Sequence, residues 1–248
     1  MADTYVLRSP TIPPRAGNSF RIDYAAELNE AQHQAVCHVD GPLLVIAGAG
    51  SGKTRTLVFR VARLVELGVR PRAILLLTFT RRASEAMLRR ASELVGSDCG
   101  KVAGGTFHSF SNLVLRRNAR DFGVDPAFTI LDRGDSEDVL QLLRTELALD
   151  RKERRFPKKR TIGELFSMAA NKDCGIASLV ESDYGHLADH LDDLERLGAR
   201  YREYKREKSL FDYDDLLIRF RDGLREKPDL ARRLADDHRF ILVDEYQD

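Results

Sequence analysis

The residues with the clearest chemical potential form a glycine-rich run at positions 48–54, directly after a short apolar stretch. Its glycines let the backbone turn so that successive N–H groups point at phosphate oxygens, and a helix beginning there adds its positive end. Lys53 can reach the β- and γ-phosphates of a nucleotide, and the Thr54 hydroxyl can ligate Mg²⁺. The first glycine of the pattern GxxxxGKT is replaced by Ala47. A flexible glycine turn that matches by chance is the alternative, and the strand–turn–helix context disfavours it.

A second candidate group is the acidic pair Asp244 and Glu245, which directly follows the apolar run at 240–243. Asp244 would hold Mg²⁺, often through water. Glu245 would polarise the attacking water as a general base. Taken alone, the pair is more typical of an acidic turn after a surface strand. Beside a phosphate-binding turn it favours triphosphate hydrolysis, and only folding can bring it to the distant Lys53.

Strands that alternate with helices must position these groups. A fully buried parallel strand is expected where residues 43–47 run into the glycines. Helices are expected from about Thr54 to a stop at Gly68, over residues 81–95, and after residue 107. This alternation predicts a doubly wound parallel α/β sheet. The four apolar runs predicted as strands are 43–47, 73–80, 102–107 and 240–243.

The middle of the chain changes character and reads as mostly helical between about residues 126 and 209. Asp135 and Ser136 are typical of a helix start, and the run 161–164 reads as a capping box. Apolar residues from Leu187 to Tyr204 recur every three or four positions and predict a long helix. The sequence therefore predicts a helical insertion within an α/β domain.

The bulk composition fits a globular protein of one large or two modest domains. The chain has 248 residues, of which 43% are hydrophobic and 32% charged, and its net charge is only +1. Nucleic acid would therefore be bound by local patches rather than by an overall positive field. The three cysteines stand far apart, which disfavours zinc or a disulfide framework and fits a reducing cytoplasm. No apolar run approaches the roughly 20 residues that span a membrane, and no signal core precedes residue 24.

Six motifs in order resemble those of superfamily 1 helicases of the UvrD/Rep/PcrA group, over nearly the whole chain after Tyr24. In that family the leading Ala47 is ordinary, whereas Arg81 and Arg82 stand where the family usually has Asn-Lys. The matching segments are residues 28–32, 47–55, 78–87, 105–110, 211–217 and 242–248.

The resemblance implies an α/β fold, namely a RecA-like P-loop NTPase parallel sheet with an inserted α-helical subdomain. Residues 1–23 would be a flexible tail, which the prolines at 10, 13 and 14 also favour. Residues 24–125 would form the first part of the RecA-like domain, and 126–209 an insertion like the family's domain 1B, which lies against duplex DNA. Residues 210–248 would return to the RecA-like domain and end at the Walker B motif.

The resemblance also implies roles in ATP binding and hydrolysis. Gln32 and Arg55 would face the adenine, and Gln247 would lie near the γ-phosphate. Lys53, Asp244 and Glu245 would be catalytic, with Mg²⁺ held by Thr54 and Asp244. The residues expected to bind ATP are Gln32, Ala47, Gly48, Ala49, Gly50, Ser51, Gly52, Lys53, Thr54, Arg55 and Gln247.

Single-stranded DNA would lie at the carboxyl ends of the strands, against Phe79, Thr80, Arg81, Thr106 and His108. An exposed aromatic offers a surface on which any base can stack, and hydroxyl and imidazole groups suit phosphate contacts without sequence information. Simpler explanations stay open: Phe79 as core, His108 as a helix-start histidine and Gln32 as a surface residue. Asp212 more plausibly caps a helix than contacts ligand, because Asp215 lies three positions on.

A basic run at residues 151–160 contains seven basic residues and one acidic residue. It could be a patch for duplex phosphates, in which each contact releases counterions and makes binding sensitive to salt. A solvated mobile loop is an equally good interpretation of the same composition.

The function that the resemblance implies is an ATP-dependent DNA helicase that moves 3′ to 5′ on single-stranded DNA in repair or replication. The arginines that stabilise the transition state would come from later motifs, largely in a second RecA-like domain that is missing from this sequence. In the sheet that the resemblance implies, the strand after the one that ends at Asp244 lies between that strand and the strand before the glycine turn. The sequence stops before this additional strand. We therefore expect a fragment with little turnover of its own. Alternatives are a RecB- or AddA-like helicase–nuclease subunit, a nucleotide-switched adaptor without motor activity, and a P-loop kinase.

Overall fold

The computed structural model describes residues 20–149 and 156–247, with only the backbone described at 97 and 98. These residues form two compact units. The α/β unit contains the described residues up to Phe110 and those from Asp229 onward, and the helical unit runs from Ser111 to Pro228.

Helices dominate both units. In chain order the described helices are α1 (Tyr24–Glu27), α2 (Glu30–Cys37), α3 (Lys53–Glu66), α4 (Arg81–Val95), α5 (Phe107–Arg117), α6 (Ala119–Phe122), α7 (Arg133–Glu146), α8 (Lys159–Asn171), α9 (Ile176–Ser182), α10 (Leu191–Glu207), α11 (Tyr213–Glu226) and α12 (Pro228–Asp237). Short 3₁₀ turns cover Pro71–Ala73, Ser97–Lys101 and Gly185–His190.

A small parallel sheet organises the α/β unit. Its strands are β1 (Ile74–Leu77), β2 (Ala103–Gly105) and β5 (Phe240–Val243), in the spatial order β2-β1-β5. All four β1 residues are buried, as expected for a central strand covered on both faces. The core residues packed around this sheet from α3, α4 and the strands include Val58, Val61, Leu64, Ile74, Leu76, Met87, Ala91 and Leu242.

The prediction of a buried strand at residues 43–47 was wrong. The segment is outside any strand, and the side chains of Leu44 and Ile46 are 69% and 90% exposed. A strand needs a neighbour to satisfy its backbone groups, and among the described strands residues 43–47 pair with none of β2, β1 and β5. An apolar run therefore does not become a buried strand without a partner beside it.

Three other predicted elements of the α/β unit are confirmed. The helix expected over 81–95 is α4, and Thr80 caps it by accepting a hydrogen bond from Ala83 N at 3.2 Å. The final strand is β5. Gly68 follows the end of α3 with a φ of 84°, the left-handed conformation that favours glycine at a helix stop.

Residues 20–23, assigned by the sequence to a flexible tail, pack against α3. Ile22 is buried, and the backbone N–H of Arg21 donates to Glu66 Oε1 at 2.8 Å. The Tyr24 hydroxyl donates to Glu66 Oε2 at 2.6 Å. Burial and this hydrogen bond raise the pKa of Tyr24. The remainder of the predicted tail, residues 1–19, lies outside the described residues.

The helical unit has a hydrophobic core of its own, built from α7 to α10 and including Leu140, Leu143, Leu165, Leu194 and Leu197. Two short parallel strands, β3 (Thr129–Ile130) and β4 (Leu210–Phe211), pair beside it. Phe128 and Phe211 stack with ring centroids 4.3 Å apart.

These contacts give the compact units limits that differ from the predicted domain boundaries. The sequence placed the changes of domain at 125/126 and 209/210. The compact units change after Phe110 and after Pro228, which places α11 in the helical unit by its packing. The domain limits themselves stay predictions. Leu216 of α11 packs in one buried cluster with Phe128 and Phe211, next to the pair formed by β3 and β4.

Capping signals in the helical unit were partly misread. Asp212 caps α11 in a capping box with Asp215, which confirms the prediction for that residue. Helix α7 starts slightly earlier than predicted, capped by Asp132 with Asp135 as its partner. The predicted capping box at 161–164 is wrong, because α8 already begins at Lys159. The charged residues before position 161 extend that helix, and Glu164 is engaged by Arg160 and Arg133.

A buried charge cluster joins the end of α10 to the start of α11. Lys205 is only 7% exposed and donates to Asp212 Oδ2 at 2.6 Å and to Asp215 Oδ2 at 2.5 Å. Burial acts to raise the pKa of both carboxyls. For Asp212 the charge and hydrogen bond of Lys205 outweigh burial and lower its pKa, whereas burial prevails at Asp215 and raises it. The lysine therefore compensates two carboxylates that water reaches poorly.

Replacing Lys205 with methionine should lower the free energy of unfolding by about 3–5 kcal/mol, because two buried carboxyl groups lose their cation. Urea denaturation followed by circular dichroism measures this. The matched control is Arg232→Met, which breaks an ion pair whose side chains are 76% and 89% exposed and should change stability by less than about 0.5 kcal/mol. Similar losses in the two variants would contradict the prediction.

None of the described helices combines the length and the apolar character needed to cross a bilayer.

Candidate functional site

The parallel sheet brings the predicted functional segments to one edge. Leu77 pairs with Gly105 on one side and with Val243 on the other. The ladder continues one residue further, since Thr78 N donates to Gly105 O at 3.0 Å and Asp244 N donates to Leu77 O at 2.9 Å. The carboxyl ends of β1, β2 and β5 therefore lie side by side, and the residues after each strand share this edge.

The glycine turn, residues 48–52, precedes α3 in an open conformation. Gly50 and Gly52 have φ values of 77° and 88°, which a residue with a side chain adopts only with strain. Ser51 closes the turn by donating from its N–H and its hydroxyl to Gly48 O, at 3.3 and 2.7 Å. A Cβ added at Gly48 or Gly50 would meet nothing within 4 Å. The turn thus leaves free space along its backbone, as a phosphate-binding turn requires.

Lys53 and Thr54 form the first turn of α3, directly after the glycine turn. The Lys53 ammonium donates to Ala47 O at 3.1 Å and to Gly48 O at 3.4 Å, so it lies folded against the turn. Helix N-termini carry unpaired N–H groups and a partial positive charge. The site therefore combines the ammonium of Lys53, the hydroxyl of Thr54 and the N-terminal end of α3. Together these groups suit an anion accompanied by a metal ion.

Asp244 and Glu245 lie just beyond β5, in a short non-helical turn. Burial raises the pKa of Asp244 above its usual value, the negative charge of Glu245 raises it further, and the positive charge of Lys53 lowers it. Glu245 has a φ of 52° although it is not glycine. Backbone strain of this kind often occurs at functional sites. Gln247 Nε2 donates to Glu245 Oε2 at 2.5 Å.

The positive charge of Lys53 acts on the pKa of Asp244, so the two predicted halves of the ATP site influence each other electrostatically. A divalent cation would relieve the repulsion between two carboxylates, and a triphosphate would match the lysine and the helix end. The residues therefore fit a magnesium-bound nucleotide. Among the described residues no group of three or more His, Cys, Asp or Glu side chains could hold a metal.

Gln32 touches the glycine turn directly. Its Nε2 donates to Ser51 O at 3.0 Å, and its Oε1 accepts from Asn29 N at 3.3 Å in the capping box of α2. Arg55 lies on the same side, where it donates to Glu27 O at 2.9 Å and to Glu27 Oε2 at 2.6 Å. The residues predicted at the adenine are thus brought together with the turn, although Arg55 is engaged by a carboxylate that sequence reasoning missed.

The residues predicted to contact DNA share the edge formed by the strand ends. Phe79 is 72% exposed, which excludes the alternative that it is a core residue. Thr80 and Arg81 are also exposed at the start of α4. Thr106 is half-buried and exchanges hydrogen bonds with Ser109, whose N–H donates to Thr106 Oγ1 at 3.1 Å. His108 is half-buried in the first turn of α5.

Two neighbours of these residues were not singled out in the sequence. Ser109 fixes Thr106 through the spacing T-x-x-S, a local capping signal that was present but not used. Phe107 is 44% exposed and adds a second aromatic side chain at the end of β2. Both could have been found by examining the whole segment after the strand rather than its most polar members.

The basic run is only partly described, since residues 151–155 lie outside the described residues. Lys159 donates to Asp138 Oδ1 at 2.5 Å, and Arg160 donates to Glu164 Oε1 at 3.0 Å. The described end of the run is therefore already matched by carboxylates, which reduces its positive charge as a phosphate patch.

The chain is a mixed α/β protein with a small parallel sheet, a glycine turn at a helix start and a carboxylate pair at the sheet edge. Comparison with known proteins identifies its family. The UvrD/REP helicase N-terminal domain matches residues 28–248, and the chain belongs to that family.

Its relatives include proteins named ATP-dependent DNA helicase PcrA. The protein from Leuconostoc citreum is 35% identical over 226 residues, covering 89% of this chain and 29% of the relative. The protein from Staphylococcus epidermidis is 33% identical over 225 residues, covering 89% and 30%. The protein from Staphylococcus aureus is 32% identical over 223 residues, with the same coverage. The chain thus spans less than a third of the length of these relatives.

The three glycines of the turn should differ in how well they tolerate alanine. Gly48→Ala should change the free energy of unfolding by less than about 0.5 kcal/mol, because its surroundings are open. Gly50→Ala should cost about 1–2 kcal/mol, since it forces a side chain into left-handed backbone. Gly52→Ala should cost roughly 1 kcal/mol more, because its Cβ would lie 2.5 Å from Gln32 Nε2 and displace that amide from Ser51 O.

Chemical denaturation of the three variants measures this order. Gly48→Ala serves as the control for the mutation itself, and Gly50→Ala as the control for backbone strain without a close neighbour. Equal stability of the Gly50 and Gly52 variants would mean that the Gln32 contact does not restrain the turn.

Proposed function

We propose that this chain is the N-terminal part of an ATP-dependent DNA helicase, with the α/β unit as a RecA-like motor domain. One observation carries the proposal: Asp244, whose pKa burial raises and the positive charge of Lys53 lowers, shares its sheet edge with the exposed Phe79. In this proposal a nucleotide site and a surface for nucleic acid would meet at the ends of paired strands. Membership of the UvrD/REP helicase family and the names of the PcrA relatives support the same function.

The chain's own residues would share the work of hydrolysis. Lys53 and the N–H groups of the glycine turn would bind the phosphates, and Thr54 and Asp244 would hold Mg²⁺. Glu245 would accept a proton from the attacking water. Magnesium would neutralise charge on the phosphate oxygens. Gln247, hydrogen-bonded to Glu245 at 2.5 Å, would connect the γ-phosphate region to the DNA-facing edge.

The DNA side of the proposal depends on the strand ends. Phe79 would stack on a base, which every sequence allows. Thr80, Arg81, Thr106 and His108 would contact the sugar–phosphate backbone. Such contacts position a strand without reading it, as a motor that must move along any sequence requires.

The proposed whole protein moves 3′ to 5′ on single-stranded DNA and unwinds duplexes in repair or replication. Its helical unit would correspond to the family's duplex-facing domain 1B, and a second motor domain would supply arginines for the transition state. In the described part of the chain Cys37, Cys99 and Cys174 form no disulfide, which supports a cytoplasmic setting. A RecB- or AddA-like subunit would share the same motor, whereas a nucleotide-switched adaptor would have no need of Glu245 as a base.

The full-length parent should hydrolyse ATP, and single-stranded DNA should stimulate it. Lys53→Ala should abolish turnover by removing the phosphate-binding cation, whereas Glu245→Gln should retain ATP binding and lose turnover. A coupled phosphate-release assay and equilibrium nucleotide binding separate the two effects. Arg89→Met, an exposed change on α4, is the control. Stimulation by a protein partner but not by DNA would favour the adaptor instead.

Whether Phe79 stacks on a base can be tested by comparing a non-aromatic with an aromatic replacement. Phe79→Leu should weaken binding of oligo(dT) by roughly fivefold or more, since base stacking contributes about 1–3 kcal/mol per base. Phe79→Trp, which keeps a flat aromatic face, should bind within about twofold of the wild type by the same argument. Fluorescence anisotropy at fixed salt measures both. If leucine and tryptophan bind alike, stacking is not the contribution of this side chain.

A further inference from the structure

Helix α3 holds the segment before the glycine turn through a row of charged side chains. Arg55 pairs with Glu27. Glu66 accepts hydrogen bonds from Arg21 N and from the Tyr24 hydroxyl. These contacts fasten α1 and the residues before it. The contact that fastens α2 comes from a different residue, Arg60.

Arg60 caps the C-terminal end of α2. Its Nη1 donates to Ala35 O at 2.5 Å and also to His38 O. The last carbonyls of a helix lack partners within the helix and carry its partial negative charge, so a cation placed there is favoured. The guanidinium is half-buried, and burial lowers the pKa of Arg60. Two carbonyls and a helix end thus compensate a cation that water reaches only partly.

The opposite end of α2 contacts the nucleotide site. Gln32 lies in its first turn and donates to Ser51 O of the glycine turn at 3.0 Å. Between the two ends, Val36 is fully buried against a cluster that includes Phe59 of α3. The helix has eight residues, so about two turns of hydrogen-bonded backbone connect its two ends. Fixing its C-terminal end therefore fixes the direction in which Gln32 approaches the turn.

We propose that Arg60 is a positioning residue that sets the base specificity of the nucleotide site by holding α2, and with it the Gln32 amide, against the glycine turn. The inference rests on the proposed role of Gln32 at adenine. Arg60 itself touches no nucleotide in this scheme. Arg60 would change the affinity for one base relative to another, while Lys53 would still bind the phosphates.

A purely structural role would give a different result. If Arg60 only stabilised the fold, its loss would weaken binding of every nucleotide to a similar degree. If it positions Gln32, its loss should weaken ATP and leave a triphosphate with another base almost unaffected. The ratio of ATP to UTP affinity separates the two, because both nucleotides carry the same phosphates and sugar.

The experiment uses this 248-residue chain and measures ATP and UTP binding with Mg²⁺ by calorimetry. Arg60→Met should weaken ATP about fivefold to tenfold, the effect of losing one well-placed hydrogen bond, and leave UTP within about twofold. Gln32→Glu keeps the acceptor of the capping box but cannot donate to Ser51 O, and it should lose the same preference. Combining both changes should add nothing further. Arg60→Lys should retain part of the preference, and Arg89→Met all of it.

Hydrogen exchange without nucleotide provides a second readout that does not depend on binding. Arg60→Met should speed exchange across residues 30–38 and leave α4 unchanged. Three results would overturn the inference while the wild type still prefers ATP: Arg60→Met keeping the preference, equal weakening of ATP and UTP, or unchanged exchange in α2. A wild type without preference for ATP would instead refute the adenine role of Gln32, which is the proposed function rather than the anchoring by Arg60.

Discussion

The backbone pairing of β1 with two neighbours is the constraint on which the candidate site depends. Because Leu77 is in register with both Gly105 and Val243, the residues after three distant segments of the chain emerge side by side. No side chain has to reach across the molecule. The same hydrogen-bond ladder places the carboxylates of Asp244 and Glu245 beside the aromatic side chain of Phe79, and movement of one strand would be transmitted to the others.

Sequence reasoning worked best where a signal was local. The helix at 81–95 and the strand at 240–243 were found with their limits, since spacing and caps define them within a few residues. The capping role of Asp212 was found for the same reason. Phe79 was placed at the correct edge, but only the fold could show that it is exposed rather than core.

The errors share a physical cause, namely dependence on neighbours distant in the sequence. The apolar run at 43–47 looks like a buried strand, yet burial depends on a partner strand that periodicity does not reveal. The ion pair of Arg55 with Glu27 and the carbonyls bound by Arg60 are tertiary contacts as well.

The exposed apolar segment at 43–46 also affects how the chain behaves in concentrated solution. Leu43, Leu44, Val45 and Ile46 are exposed outside any strand, and exposed apolar segments of this kind favour intermolecular β-pairing. The segment itself carries no charge that would repel a second copy. Self-association of the isolated chain would therefore begin beside the glycine turn, and a lysine introduced at the solvent-facing Ile46 would act as a gatekeeper during expression and storage.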